Sequence, residues 1–160
     1  MTTELPSHLA PLDPLSPGAQ DLMAQSEALM SALYPSESNH FEPAANLRPP
    51  GGAFWGCWLG EQLAGCGGVK YETPADGPAY GEIKRLFVRD SARGRGVARR
   101  LMGQLEAELT ARGVGLARLE TGIHQPEALA LYRRLGYVER APFGGYAADP
   151  LSLFFEKALR

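Results

Sequence analysis

The sequence predicts a mixed α/β domain of the α+β type, with helices packed on a largely antiparallel sheet. Three observations carry this. Two apolar, aromatic-rich runs flank Gly60-Glu61-Gln62, the pattern of a β-hairpin. The alternating stretch "AYGEIKRLFVRD" leads through a glycine-arginine turn into the amphipathic "VARRLMGQLEAEL" and on to "VGLARLETGI", the order of a strand–helix–strand crossover. A length of 160 residues suits one domain with a proper core and is short for two, and no repeat or boundary divides it, so 1–160 reads as a single unit.

The elements follow in order. Residues 1–17 are proline-rich and read as an extended lead-in with room for one short strand. From Gly18, Leu22, Leu29, Met30 and Leu33 fall at helical spacing, and the helix ends near Pro35. "PSESNHFEPAANLRPPGG" is a polar, proline-rich loop with at most one helical turn. In the strand "AYGEIKRLFVRD", alternation places Ile83, Arg85 and Phe87 on one side and Glu82, Lys84, Leu86 and Val88 on the other. Val97, Leu101, Leu105 and Leu109 form the apolar stripe of the next helix, which Arg112-Gly113 ends. "QPEALALYRRLGY" is another helix, with proline in its first turn and Gly136 as its stop. "YVERAP" and "LSLFFEKAL" close the sheet around the loop "FGGYAADP".

Composition narrows the function classes. A formal net charge of -2 argues against general affinity for nucleic acid or acidic membranes. The N-terminal stretch has no basic n-region or apolar h-region, and no run approaches the ~20 apolar residues of a membrane span. The expectation is a reduced, soluble, cytoplasmic protein in which Cys57 and Cys66 fill core rather than form a redox pair. Basic residues nevertheless cluster at Lys84, Arg85, Arg89, Arg93, Arg95, Arg99 and Arg100. Such a run is either a solvated face or a ligand clamp.

Arg93-Gly94-Arg95-Gly96, placed between a strand and a helix, favours the clamp. The first amides of a helix lack intrahelical partners and carry its positive dipole end. Glycines remove the Cβ atoms that would keep a phosphate away, and arginines add charge-assisted bonds. The dinucleotide fingerprint G-x-G-x-x-G fails, because Arg99 stands where the third glycine belongs, and there is no G-x-x-x-x-G-K-[ST]. What remains is Arg-x-x-Gly-x-Ala at 93–98.

That motif resembles the [Gln/Arg]-x-x-Gly-x-[Gly/Ala] signature of the GNAT superfamily of acetyl-CoA-dependent N-acetyltransferases, through Arg93, Gly96 and Ala98. "ALALYRRLGY" is similar to the family's A-x-x-L-Y-x-x-x-G-[Phe/Tyr] helix. Residues 82–137 carry the likeness, and the hairpin at 53–72 fits it. The resemblance implies a sheet splayed at its centre after Val88, with helices on both faces, and an enzyme moving an acetyl group to an amine. It implies that Gly94, Arg95, Gly96, Val97 and Ala98 hold the coenzyme A pyrophosphate, with Arg93 and Arg99 adding side-chain contacts. The backbone of Phe87 and Val88 would pair with the pantetheine arm, and Gln125 would contact it where the family often has asparagine. The Val88 amide would polarise the thioester carbonyl.

Acetyl transfer to an amine asks for a base to deprotonate the ammonium and an acid for the departing thiolate. Tyr132, where the family places a tyrosine near the sulfur, is the acid candidate; a phenol of pKa near ~10 is protonated at neutral pH. Its alternative role is a core tyrosine. Glu82 is the base candidate, since the resemblance implies a glutamate at its spacing before Arg93, with Glu120, or water, as the rival; an ion pair with Lys84 is the structural alternative for Glu82. Tyr34, Glu37, His40, Phe41 and Tyr146 are acceptor-site candidates, and His124 is a further cleft candidate. No metal is expected. The expected partner is a small-molecule amine, not nucleic acid or membrane; a protein amine as acceptor and a non-catalytic acyl-CoA sensor of the same fold remain alternatives, and the association state stays open, a homodimer included.

Overall fold

The computed structural model describes residues 6–159. The lead-in holds a short strand, β1 (Ser7–Pro11); whatever the expectation says of residues 1–5 lies outside the described residues. Helix α1 (Pro17–Leu33) starts one residue before the apolar pattern suggests. Ser16 caps it, its Oγ accepting the Ala19 N–H at 3.4 Å, and Pro17 has no N–H to leave unpaired. The polar stretch that follows winds into two 3₁₀ turns, Ser36–Ser38 and Ala44–Leu47, rather than one. The hairpin is β2 (Gly52–Leu59) and β3 (Gln62–Glu72), joined through Gly60 at φ 60°. Then come β4 (Tyr80–Val88), α2 (Val97–Ala111), β5 (Leu116–Gly122), α3 (Pro126–Arg134), β6 (Val138–Arg140) and β7 (Ser152–Ala158). No helix among the described residues is long and apolar enough to cross a membrane.

Among the described residues the strands form one sheet in the order β1-β2-β3-β4-β5-β7-β6. Every neighbouring pair is antiparallel except β4 and β5, which the α2 crossover makes parallel. That parallel contact is brief: Gly81 pairs with Ala117, Glu82 with Arg118, and the strands then part. β3 continues to hold β4 out to Val88, while β7 holds β5 along its whole length. The split therefore begins after Glu82, well before the position after Val88 that the family resemblance implies.

A bulge corrects the simple alternation of β4. The register passes from Cys66↔Phe87 to Gly68↔Lys84, so that Gly67 alone opposes Arg85 and Leu86. Arg85 sits at φ 60°, the one non-glycine residue with positive φ among those described. Ile83 packs on the α2 side against Met102, Leu105 and Leu109, whereas Phe87 packs on the α1 side against Ala19 and Leu22. Strict alternation would put both on one face. The extra residue instead sends the consecutive side chains of Lys84 and Arg85 to the same side, where Lys84 reaches the His40 carbonyl at 3.4 Å and Arg85 the Glu27 carboxylate at 3.2 Å.

α2 and α3 cover one face and α1 the other. Leu101, Met102, Leu105 and Leu109 are fully buried, so a leucine-to-alanine change along this stripe costs about 2–5 kcal/mol. Close approach depends on Gly81, where a Cβ would lie 2.2 Å from a Leu109 methyl carbon. Cys57 and Cys66 are free thiols in different clusters, and burial pushes the Cys66 pKa up to about 12, consistent with core filling.

Candidate active site

The turn between β4 and α2 is open. After a 3₁₀ turn, Asp90–Ala92, Gly94 and Gly96 take φ 79° and 77°, and a Cβ at either would meet nothing within 4 Å. Gly96 is the N-cap residue of α2 and offers no side chain to its amides. From Gly94 to Arg99 no backbone N–H donates to a protein acceptor among the described residues; the first to do so is Arg100, to the Gly96 carbonyl at 3.1 Å. A row of free amides at the positive end of a 15-residue helix fits a pyrophosphate. The basic run does not act as one patch. Arg95, Arg99 and Arg100 are exposed around this turn, and Arg93 reaches Asp90 at 3.5 Å. Arg89 binds back to the Leu63 carbonyl, while Lys84 and Arg85 enter the cleft.

Where β4 and β5 diverge, a cleft of about 120 Å³ opens. Ile83 to Leu86 form one wall, Leu119 to Gly122 with Gln125 the other, and α1 with the 38–42 segment covers the top. The Arg89 N–H donates to Ala64 on β3 at 2.8 Å, so the preceding amide, that of Val88, points the opposite way, toward the split. Phe87 is buried and Val88 half-buried. Tyr132 belongs to the α2-side core yet reaches the cleft through the gap. Its hydroxyl has no hydrogen-bond partner among the described residues and is not sealed off. Burial, with the Glu120 charge adding to it, raises its pKa above the usual phenol value.

Glu120 lines the cleft and accepts the Ser152 hydroxyl at 2.9 Å. Burial raises its pKa despite that bond and the nearby His40 and Lys84 charges. Glu82 is buried beside the cleft rather than on its lining: the Tyr146 hydroxyl donates to its carboxylate at 2.5 Å, and Lys84 Nζ lies 3.3 Å away. Tyr146 in turn packs edge-on against His40. Tyr34 donates to Gln125 Oε1 at 3.4 Å, accepts the His124 N–H at 3.0 Å and stacks on the His124 ring.

Among the residues anticipated for the acceptor site, Tyr34, His40 and Phe41 line the cleft, while Tyr146 stands behind Glu82. Glu37 is exposed and off the lining, and His124 is exposed beside it. Two contributions are not legible in the local sequence. Arg85 stands in the basic run, but its entry into the cleft depends on a bulge that leaves no mark in β4's own residues. Ser152, which holds Glu120, could have been reached by pairing the closing strand with the crossover strand.

The profile of the acetyltransferase (GNAT) family matches residues 20–137. IAA acetyltransferase of Azospirillum brasilense is 40% identical over 91% of this chain and 94% of that relative. A Klebsiella pneumoniae structure, nominally an acyl-CoA N-acyltransferase, is 32% identical and superposes with a TM-score of 0.80 over 96% of this chain and 98% of its own. In fold alone, at 14% identity, the N-acetyltransferase PaiA of Thermoplasma acidophilum, crystallised with coenzyme A, reaches a TM-score of 0.73 over 96% of this chain and 99% of its own. The chain belongs to the acetyltransferase (GNAT) family. It is an acyltransferase that uses acetyl-CoA as co-substrate and acts on amine acceptors.

Proposed function

We propose that the chain acetylates a small primary amine by direct attack while both substrates are bound. Acetyl-CoA supplies an activated acetyl thioester. In this reading the amides from Gly94 through Arg95, Gly96, Val97 and Ala98 grip the pyrophosphate, with Arg93 and Arg99 at its outer oxygens. The open edge of β4 at Phe87 and Val88 pairs with the pantetheine from one lobe, and Gln125 contacts it from the other. The Val88 amide stabilises charge on the carbonyl oxygen, and the Tyr132 hydroxyl gives its proton to the leaving sulfur.

For the base, the geometry favours Glu120 over Glu82. Glu120 lines the cleft with its pKa raised toward the working range, whereas the Glu82 carboxylate is occupied by Tyr146 and Lys84. Glu82 then acts as a positioning residue that orients Lys84. The observation that carries the reading is the row of unpaired amides at α2, next to a split whose gap holds a free Tyr132 hydroxyl. That hydroxyl favours turnover over a non-catalytic sensor. Calorimetry with acetyl-CoA against its adenine-only fragment tests the loop, and thiol release across a panel of primary amines, together with IAA from the relative's name, tests the transfer. Tight acetyl-CoA binding with amine-dependent thiol release is expected; binding without release under every amine would leave only the sensor.

A further inference from the structure

Acetyl transfer as read above leaves Arg85 without a task, yet two independent costs converge on it. It is the one non-glycine residue at positive φ among those described, held at φ 60° in the bulge of β4 where glycine is the usual solution. Its Nη1 is also the one buried side-chain nitrogen or oxygen without a hydrogen-bond partner among those described. Backbone strain and an unsatisfied buried donor are features that concentrate at functional sites.

The rest of the guanidinium is fixed. Nε donates to the Glu42 carbonyl at 3.1 Å and Nη2 to Glu27 at 3.2 Å, so the side chain is 10% exposed and its fork cannot turn away. It forms part of the cleft wall, next to Lys84. The Phe41 ring lies 5.1 Å from its centre and is itself 37% exposed, so a solvent-facing aromatic ring stands over the guanidinium. Of the two carboxylates on the lining, Glu42 is engaged by Asn46 at 2.8 Å and Lys70 at 3.3 Å, and Glu120, held by Ser152, serves in the reading above as the base. A purely cationic acceptor would meet Lys84 and Arg85 there, with no lining carboxylate to spare beyond the base.

We propose that the acceptor amine also bears a carboxylate, and that Arg85, with Lys84 beside it, receives that carboxylate in the cleft. The proposal rests on the acetyltransferase reading and narrows its substrate to amino-acid-like molecules of a size suited to about 120 Å³. A guanidinium stays charged at all working pH values, and its planar fork matches a carboxylate. The bulge supplies the geometry, because it alone places residues 84 and 85 on one side of the strand.

The test uses the full chain saturated with acetyl-CoA and follows thiol release. Free α- and ω-amino acids are each compared with their carboxamide and with the amine lacking the carboxyl group. The best acid is expected to exceed its carboxamide by about 100-fold in kcat/KM, the size expected when a hydrogen bond to a charged group is lost. Arg85→Gly removes both the strain and the orphan donor, so its melting temperature should equal or exceed that of the wild type while KM for the acid rises about 100-fold and acetyl-CoA affinity is unchanged. Arg85→Met serves as a second variant, and the acid-to-amide ratio of the wild type stands without either. Carboxamides turned over as well as acids, silence of every free acid in a protein that binds acetyl-CoA, or an Arg85→Gly defect in acetyl-CoA binding alone would each overturn the proposal. Absence of acetyl-CoA binding in the wild type would instead overturn the transferase reading.

Discussion

Tyr132 and Glu120 meet at the split in the sheet, and burial raises both pKa values. A phenol held above its usual value stays protonated at neutral pH, which suits a donor and not a base. Tyr132→Phe is expected to lower kcat by about 100-fold with acetyl-CoA affinity within roughly twofold; an equal loss in both would make the hydroxyl a binding group. For Glu120 the folded pKa lies above the unfolded one. Between those values the folded chain keeps a proton that the unfolded chain releases, so its contribution to stability is greatest below the ordinary carboxylate range and declines as pH rises through the window. Glu120→Gln cannot ionise. Its melting temperature should match the wild type near about pH 4 and exceed it at about pH 8 by roughly 2–4 °C per kcal/mol of relieved burial. Its kcat/KM should fall by about 100-fold and lose the acidic limb of its pH profile. A limb that persists would belong to the amine instead.

The helix stripe of α2, the hairpin and the crossover could all be read directly, because each is a local pattern: residues four apart share a helix face, and alternate residues share a strand face. The turn into α2 was equally legible, since Gly94 and Gly96 are there for their backbone, at φ 79° and 77°. Gly96→Trp tests that element. With open space around the position, the fold should lose only about 1–2 kcal/mol of left-handed strain, while acetyl-CoA affinity should fall at least about tenfold; unchanged affinity would remove the loop from the site. The bulge in β4 was not legible, and with it went the facing of Lys84 and Arg85. A register shift belongs to two strands, and one strand's alternation cannot report where its partner skips a residue. The choice between Glu82 and Glu120 was open for the same reason: both sit on strands, and only their neighbours, Tyr146 and Lys84 for one and Ser152 for the other, separate an occupied carboxylate from an available one.

At the scale of the molecule, two lobes of sheet share a pair of backbone contacts at Gly81 and Glu82, while α2 and α3 bridge them on one face through a common core. The reading of 1–160 as one domain predicts a single unfolding transition followed alike by fluorescence and circular dichroism. Acetyl-CoA at about 100 times its Kd should stabilise the fold by about 2.7 kcal/mol, raising the melting temperature by roughly 5–11 °C; a second, unshifted transition would mean that the lobes unfold apart. By itself the sequence determined the element types, the open glycine-arginine turn at the start of α2 and the family, because all three are written in neighbouring residues. Only the tertiary structure decided where the sheet parts, which carboxylate looks into the gap and that Nη1 of Arg85 is left without a partner, because each depends on residues far apart in the chain meeting at a place no local pattern encodes.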